Sequence, residues 1–248
     1  MSVQHRLIDY RDGDVLLEGR LSYDAAIDGP RPGVLVSHTI AGRGPLEESK
    51  ADRLAEQGYT AFALDLYGKG VRGKSLEENR ALMDAQLADR AAMQRRLLVS
   101  LNTMRAQAEV DESRCAAIGF CFGGLCVLDL ARTGEDLAGV VSFHGLFGAP
   151  GNTIGNQVAA KVLVLHGWDD PMATPDAVNS LAVEMSAMGA DWQVHAYGNT
   201  MHAFTNPAAN DVDRGTVYDA GADRRSWQAM TNFFDELFGG NESQGETQ

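Results

Sequence analysis

Positive charge is scarce in this chain. It carries 21 Lys and Arg against 34 Asp and Glu, a net charge of −13 over 248 residues. Phosphate backbones are bound by concentrated positive charge, so this balance argues against a nucleic-acid partner. Cysteine is scarce too: the 3 present, Cys115, Cys121 and Cys126, all fall within residues 115–126. An odd, clustered set is no disulfide framework, and the spacing is not that of a tight Cys-x-x-Cys zinc turn. No apolar run reaches the roughly 18 residues of a membrane span. The opening Met1-Ser2-Val3-Gln4-His5-Arg6 lacks the apolar core of a signal peptide. These absences lead to the expectation of a cytoplasmic chain with no membrane and no nucleic-acid partner. The oligomeric state stays open.

What is present is an alternation of short apolar runs with longer polar-apolar stretches. The runs Val34-Leu35-Val36, Ala61-Phe62-Ala63-Leu64, Ala116-Ala117-Ile118, Val140-Val141-Ser142-Phe143 and Val162-Leu163-Val164-Leu165 are continuously apolar or nearly so, as strands buried on both faces of a parallel sheet require. Residues 15–23 alternate in part and suit an edge hairpin strand; Trp192 to Tyr197 suits a later, more exposed strand. Helices are expected from Leu46 to Gln57, from about Glu77 to Gln107 as one long element, from Thr174-Pro175 to near Gly189, and from Arg225 to Phe238. This pattern predicts an α/β architecture: a doubly wound, mostly parallel sheet with helices on both faces. One domain is expected over residues 1–238, with the polar tail 239–248 disordered. In such sheets ligands meet the carboxyl ends of the strands.

One of those strand ends carries Gly119-Phe120-Cys121-Phe122-Gly123-Gly124. A Gly-x-nucleophile-x-Gly turn between strand and helix is the nucleophile elbow of the α/β-hydrolase fold, here with cysteine in the central place. A thiol attacks as thiolate, so it needs a base, and the base needs an orienting group. Downstream of Cys121 the candidates fall in the order acid, then histidine. His166-Gly167-Trp168-Asp169-Asp170 offers two aspartates, and Gly198 to Phe204 offers His202. Asp170 is preferred over Asp169, because the usual turn places the acid four positions after the strand-end residue. The oxyanion hole is expected from the backbone N–H of Phe122 and from that of Ile40, in the loop after the first buried strand. Tyr67, Trp168 and Phe204 are candidate pocket walls. No cofactor is required by this chemistry.

The chain resembles the dienelactone hydrolase family. The resemblance rests on the Gly-x-Cys-x-Gly-Gly elbow, Gly58-Tyr59 leading to Asp65-Leu66-Tyr67, His166-Gly-x-x-Asp170 and Met201-His202-Ala203-Phe204, in order from about residue 15 to 238. It implies hydrolysis of a small ester or lactone through an acyl-cysteine intermediate, with Cys121, Asp170 and His202 as the triad. It also implies two departures. Thr39 stands where members of the family have a glutamate that contacts the resting cysteine. Thr205-Asn206-Pro207 stands where they have an arginine for a substrate carboxylate, while Arg80 aligns loosely with a second such arginine.

Two other readings of the same residues compete with this one. The glycine spacing does not fit the Gly-x-Gly-x-x-Gly of a nucleotide-binding turn, and no phosphate-loop lysine follows. A silent binding protein on the same fold is the alternative that differs only in turnover. Cys115 and Cys126 read as core residues, and His38, His144 and His166 as structural or pocket-lining.

Overall fold

The computed structural model describes residues 2–239. Its frame is an eight-stranded sheet: β1 (Val3–Asp12), β2 (Val15–Asp24), β3 (Arg31–Ser37), β4 (Thr60–Ala63), β5 (Val110–Phe120), β6 (Gly139–Phe143), β7 (Lys161–Gly167) and β8 (Trp192–Tyr197), in the spatial order β1-β2-β4-β3-β5-β6-β7-β8. The pairs β1–β2 and β2–β4 are antiparallel; every pair from β4 to β8 is parallel. The predicted doubly wound architecture is thus the observed one.

The period-two geometry of strands explains how five short apolar runs serve two cores. Leu35, Ala117, Val140, Val162 and Val164 face one layer, which packs on α3 (Arg90–Arg105), α4 (Phe122–Arg132) and α5 (Pro175–Ala187). Their neighbours Val34, Val36, Ala116, Ile118, Val141, Leu163 and Leu165 face the other, covered by α1 (Pro45–Glu56) and α6 (Ala220–Phe238). Polar ties cross the first layer as well. The Arg132 guanidinium, fully buried, donates to Asp129, to Glu184 of α5 and to the Phe147 carbonyl.

Three expectations are corrected. Residues 77–107 do not form one helix: α2 (Leu76–Ala88) ends at Asp89, whose non-helical backbone (φ −132°, ψ 81°) and side chain, accepting from Ala92 N–H, start α3 afresh. An N-cap aspartate achieves this without glycine or proline. Residues 15–24 form the hairpin strand expected, but the sheet edge is β1, a largely exposed strand too polar to read as one. The final helix starts five residues before Arg225, at Ala220, capped by the Asp219 carboxylate on Ala222 N–H. Between β8 and α6 lies a small hairpin, β9 (Asn210–Asp211) with β10 (Thr216–Val217). Apart from Gly239, the tail expected to be disordered lies outside the described residues. No helix among the described residues is long and apolar enough to cross a membrane.

Candidate active site

The elbow sits between β5 and α4. Cys121 has φ 57° and ψ −116°, a left-handed conformation that an L residue holds only under constraint. The constraint is close packing. A β-carbon on Gly119 would lie 2.0 Å from the Gly123 carbonyl oxygen, and one on Gly123 would lie 2.3 Å from that of Ser37. Only glycine lets strand, turn and helix pass this closely. The Cys121 N–H donates to the Phe143 carbonyl at 3.0 Å and to His144 Nδ1 at 3.2 Å, which tethers the turn to the end of β6.

Two further strand ends complete the arrangement. Asp170, in the turn after β7, is buried; one carboxylate oxygen accepts from Met172 N–H at 2.8 Å, and the other is paired with His202 Nδ1 at 2.7 Å. Asp169, exposed, turns away, so of the two aspartates Asp170 is the one that meets the histidine. His202 lies in the loop after β8, and the short hairpin holds that loop: His202 N–H donates to Gly215 O at 2.8 Å, and Val217 N–H donates to His202 O at 3.0 Å. Glycine again permits the approach. A β-carbon on Gly215 would lie 2.3 Å from Pro171, and one on Gly167 would lie 2.6 Å from the Thr200 carbonyl oxygen.

Electrostatics couple the pair. His202 Nε2 is buried without a formed hydrogen bond and lies beside the Cys121 sulfur. Burial is the largest single influence on Cys121 and disfavours a thiolate, while the charge and hydrogen bonding of the His202 imidazolium favour it. The neighbouring N–H groups of Phe122 and Ile40 add to that pull, and the thiol falls below its ordinary value. For His202 burial opposes the charge, while the Cys121 thiolate and then the Asp170 hydrogen bond favour it. The net effect raises its pKa to about 10. Such a site can hold a thiolate–imidazolium pair with two amide N–H groups at the sulfur.

The cavity above Cys121 has a volume of about 630 Å³. Ile40, Met83, Leu146 and Met172 make apolar walls, and Arg80, Asn206 and Arg214 bring polar groups toward the mouth. Thr39 and Arg80, singled out from the sequence, line it; three other candidates do not. Tyr67 is buried against Phe122, with its O–H donating to the Ile40 carbonyl at 3.2 Å. Trp168 is 43% exposed and points to the surface, while Phe204 is fully buried with its ring 5.0 Å from that of His144. Nearness in sequence to Asp170 and to His202 did not make Trp168 and Phe204 pocket walls, because neighbours in a tight turn leave on different faces. Of the remaining histidines His144 lines the cavity; its Nε2 lies 2.8 Å from Thr205 Oγ1, and burial pushes its pKa well below the ordinary value. Arg214 and the hairpin residues were not foreseen; a two-residue strand leaves no periodicity to detect.

A mostly parallel sheet, an elbow after β5, an acid after β7 and a histidine after β8 define the α/β-hydrolase fold. Comparison with known proteins agrees and narrows the class. The chain belongs to the dienelactone hydrolase family, whose model matches residues 18–238, and it is a hydrolase of the ester and lactone class. Among solved structures it is similar to a dienelactone hydrolase-like promiscuous phosphotriesterase from metagenomic libraries: 38% identity, TM-score 0.90, 96% of this chain and 100% of that one covered. A dienelactone hydrolase-named structure from Klebsiella pneumoniae, at 21% identity, shares the fold with a TM-score of 0.81 over 95% of this chain and 100% of its own. A relative from Aquifex aeolicus named "Putative carboxymethylenebutenolidase" is 28% identical over 236 residues, covering 92% of this chain and 97% of that protein.

Proposed function

We propose that this protein cleaves a small ester or lactone through an acyl-cysteine intermediate, with Cys121 as nucleophile, His202 as acid and base, and Asp170 as the group that orients and charges the histidine. The observation that carries this reading is the Asp170–His202 contact at 2.7 Å, continued to the Cys121 sulfur on its strained turn.

The thiolate attacks the substrate carbonyl carbon, and the carbonyl oxygen gains negative charge beside the N–H groups of Ile40 and Phe122. His202 passes its Nε2 proton to the departing alkoxide, leaving a thioester on Cys121. A water molecule then gives a proton to His202 and attacks the thioester carbon. Collapse of the second tetrahedral intermediate releases the carboxylic acid and restores the thiolate–imidazolium pair. Asp170 stays ionised throughout, holding the proton on Nδ1 in the tautomer that aims Nε2 at the sulfur.

The names of relatives suggest the substrate panel. Lactones and short-chain p-nitrophenyl esters, with and without a free carboxylate, cover the carboxymethylenebutenolidase-named protein, and an aryl phosphotriester covers the phosphotriesterase-named one. The decisive measurement is burst release of p-nitrophenol from the acetate ester by stopped flow. A burst equal to the enzyme concentration, absent in Cys121→Ala, is expected. Full turnover retained by Cys121→Ala would refute the mechanism, and binding without release in the intact protein would favour a silent binder.

A further inference from the structure

We propose that His38 is a positioning residue for the oxyanion hole: by holding the Thr39 carbonyl it sets the plane of the Thr39–Ile40 peptide and so aims the Ile40 N–H at the Cys121 sulfur. This rests on the acyl-cysteine reading above.

In a trans peptide the carbonyl of one residue and the N–H of the next point in opposite directions. Fixing the Thr39 carbonyl therefore fixes the Ile40 N–H. That amide lies in an irregular loop after β3, where no strand neighbour holds it. Side chains from elsewhere do so instead. Thr39 O lies 2.6 Å from His38 Nδ1 and accepts from Gly42 N–H at 3.2 Å. Thr39 N–H donates to the buried Glu47 carboxylate at 3.1 Å, and Ile40 O accepts from the Tyr67 hydroxyl at 3.2 Å. Three of the four backbone polar groups around this peptide are thus engaged away from the cavity, and the fourth, Ile40 N–H, is left to the sulfur.

His38 has one proton assignment that serves this purpose. It is fully buried, and its Nε2 lies 3.2 Å from Leu66 N, whose N–H can only donate. Nε2 is therefore the bare nitrogen, and Nδ1 carries the proton that Thr39 O accepts. The imidazole links the turn after β4 to the oxyanion loop after β3. The Gly42 bond closes a turn within the loop; His38 and Glu47 tie that turn to the rest of the protein.

Two amides separate the functions of the two ring nitrogens. An asparagine amide reaches about as far as Nδ1, and a glutamine amide about as far as Nε2. His38→Gln keeps an acceptor for Leu66 and loses the donor to Thr39; His38→Asn does the reverse. Removing an oxyanion donor outright costs about 10²–10³-fold, so tilting one while the Gly42 bond remains is expected to cost about tenfold. His38→Gln should acylate with p-nitrophenyl acetate about tenfold more slowly, with KM changed less than about twofold, and His38→Asn should stay within about threefold of wild type. Alkylation by iodoacetamide needs the thiolate but no oxyanion hole. Compared at equal thiolate fraction, measured by absorbance at 240 nm, it should be unchanged in both variants, while the thiol midpoint rises in His38→Gln. Equal acylation by His38→Gln and wild type would overturn the proposal, as would parallel loss of acylation and alkylation. Tyr67→Phe removes only the hydroxyl on Ile40 O, in the following peptide, and gives a second test of the anchoring of this loop: slower acylation with unchanged alkylation supports the proposal, and unchanged acylation opposes it. A wild-type protein that forms no acyl-enzyme, yet whose Cys121 midpoint still rises in His38→Gln, would fault the hydrolase reading and leave the positioning intact.

Discussion

Replacing Asp170 by asparagine removes one charge and almost no volume, so its consequences can be worked from the geometry. The carboxylate is buried and paired with His202 Nδ1 at 2.7 Å. A hydrogen bond to a charged group is worth about 1.5–3 kcal/mol and one between neutral groups about 0.5–1.5, so the exchange loses at least about 1 kcal/mol of imidazolium stabilisation. Coulomb's law sets the upper end: two unit charges 4 Å apart at an effective dielectric of about 20 attract by about 4 kcal/mol. At 1.36 kcal/mol per unit, His202 should titrate about one to three units lower in Asp170→Asn. Cys121 is lowered chiefly by the charge on His202, so its midpoint must rise as the imidazolium is lost. The asparagine amide can also donate to Nδ1, favouring the tautomer with its proton on Nε2, aimed at the sulfur. Both effects reduce the thiolate population at neutral pH and should lower kcat/KM by about 10²–10³-fold. The assay is the pH dependence of Cys121 alkylation, with the acylation rate beside it. A Cys121 midpoint that stays in place in Asp170→Asn would refute the coupling on which the mechanism depends.

Other consequences are equally direct. In the intact protein kcat/KM should be bell-shaped in pH, rising as Cys121 deprotonates below its ordinary value of about 9 and falling as His202 loses its proton near 10; the two limbs belong to the coupled pair, and activity that climbs past pH 11 would contradict it. Gly119→Ala places a β-carbon 2.0 Å from the Gly123 carbonyl oxygen; overpacking of this kind costs about 1–3 kcal/mol or more, read as a lower midpoint in urea unfolding, and an unchanged midpoint would mean the elbow is looser than described. Arg132→Met leaves Asp129 and Glu184 short of their buried partner, and a loss of about 3 kcal/mol is expected by the same measurement; a neutral result would show that Arg90, which donates to both Asp129 carboxylate oxygens, satisfies Asp129 alone. Arg80 is exposed at the cavity, where ion pairs contribute at most about 1 kcal/mol, so Arg80→Ala should raise KM for carboxylated substrates by less than about fivefold and leave neutral esters unchanged. A loss of a hundredfold would mark it as the principal specificity contact.

The parts legible in the sequence are those where one local rule decides the structure. Buried parallel strands must be apolar on both faces, and β3 to β7 read that way at once. The elbow needs glycine where a β-carbon would strike a carbonyl oxygen, which leaves a signature that no helix or loop requires. Asp170 could be preferred over Asp169 because turn length after β7 sets which carboxylate returns to the sheet. The parts that were not legible depend on partners distant in the chain. Tyr67 looked like a pocket wall, yet its hydroxyl is drawn to Ile40 O, 27 positions away in sequence; His38 carries no local sign that its ring joins Leu66 to Thr39. The β9–β10 hairpin is too short for any pattern, but it holds the His202 backbone on both sides, through Gly215 and Val217. The candidates for the chemistry are therefore readable from types and spacing, whereas the residues that hold them in place are found only through contacts. The same division runs through the proposed reaction: the groups assigned to attack, protonation and oxyanion binding sit on the elbow and two strand ends, while the polar groups toward the cavity mouth, Arg80, Asn206 and Arg214, stand on α2, the loop after His202 and the hairpin.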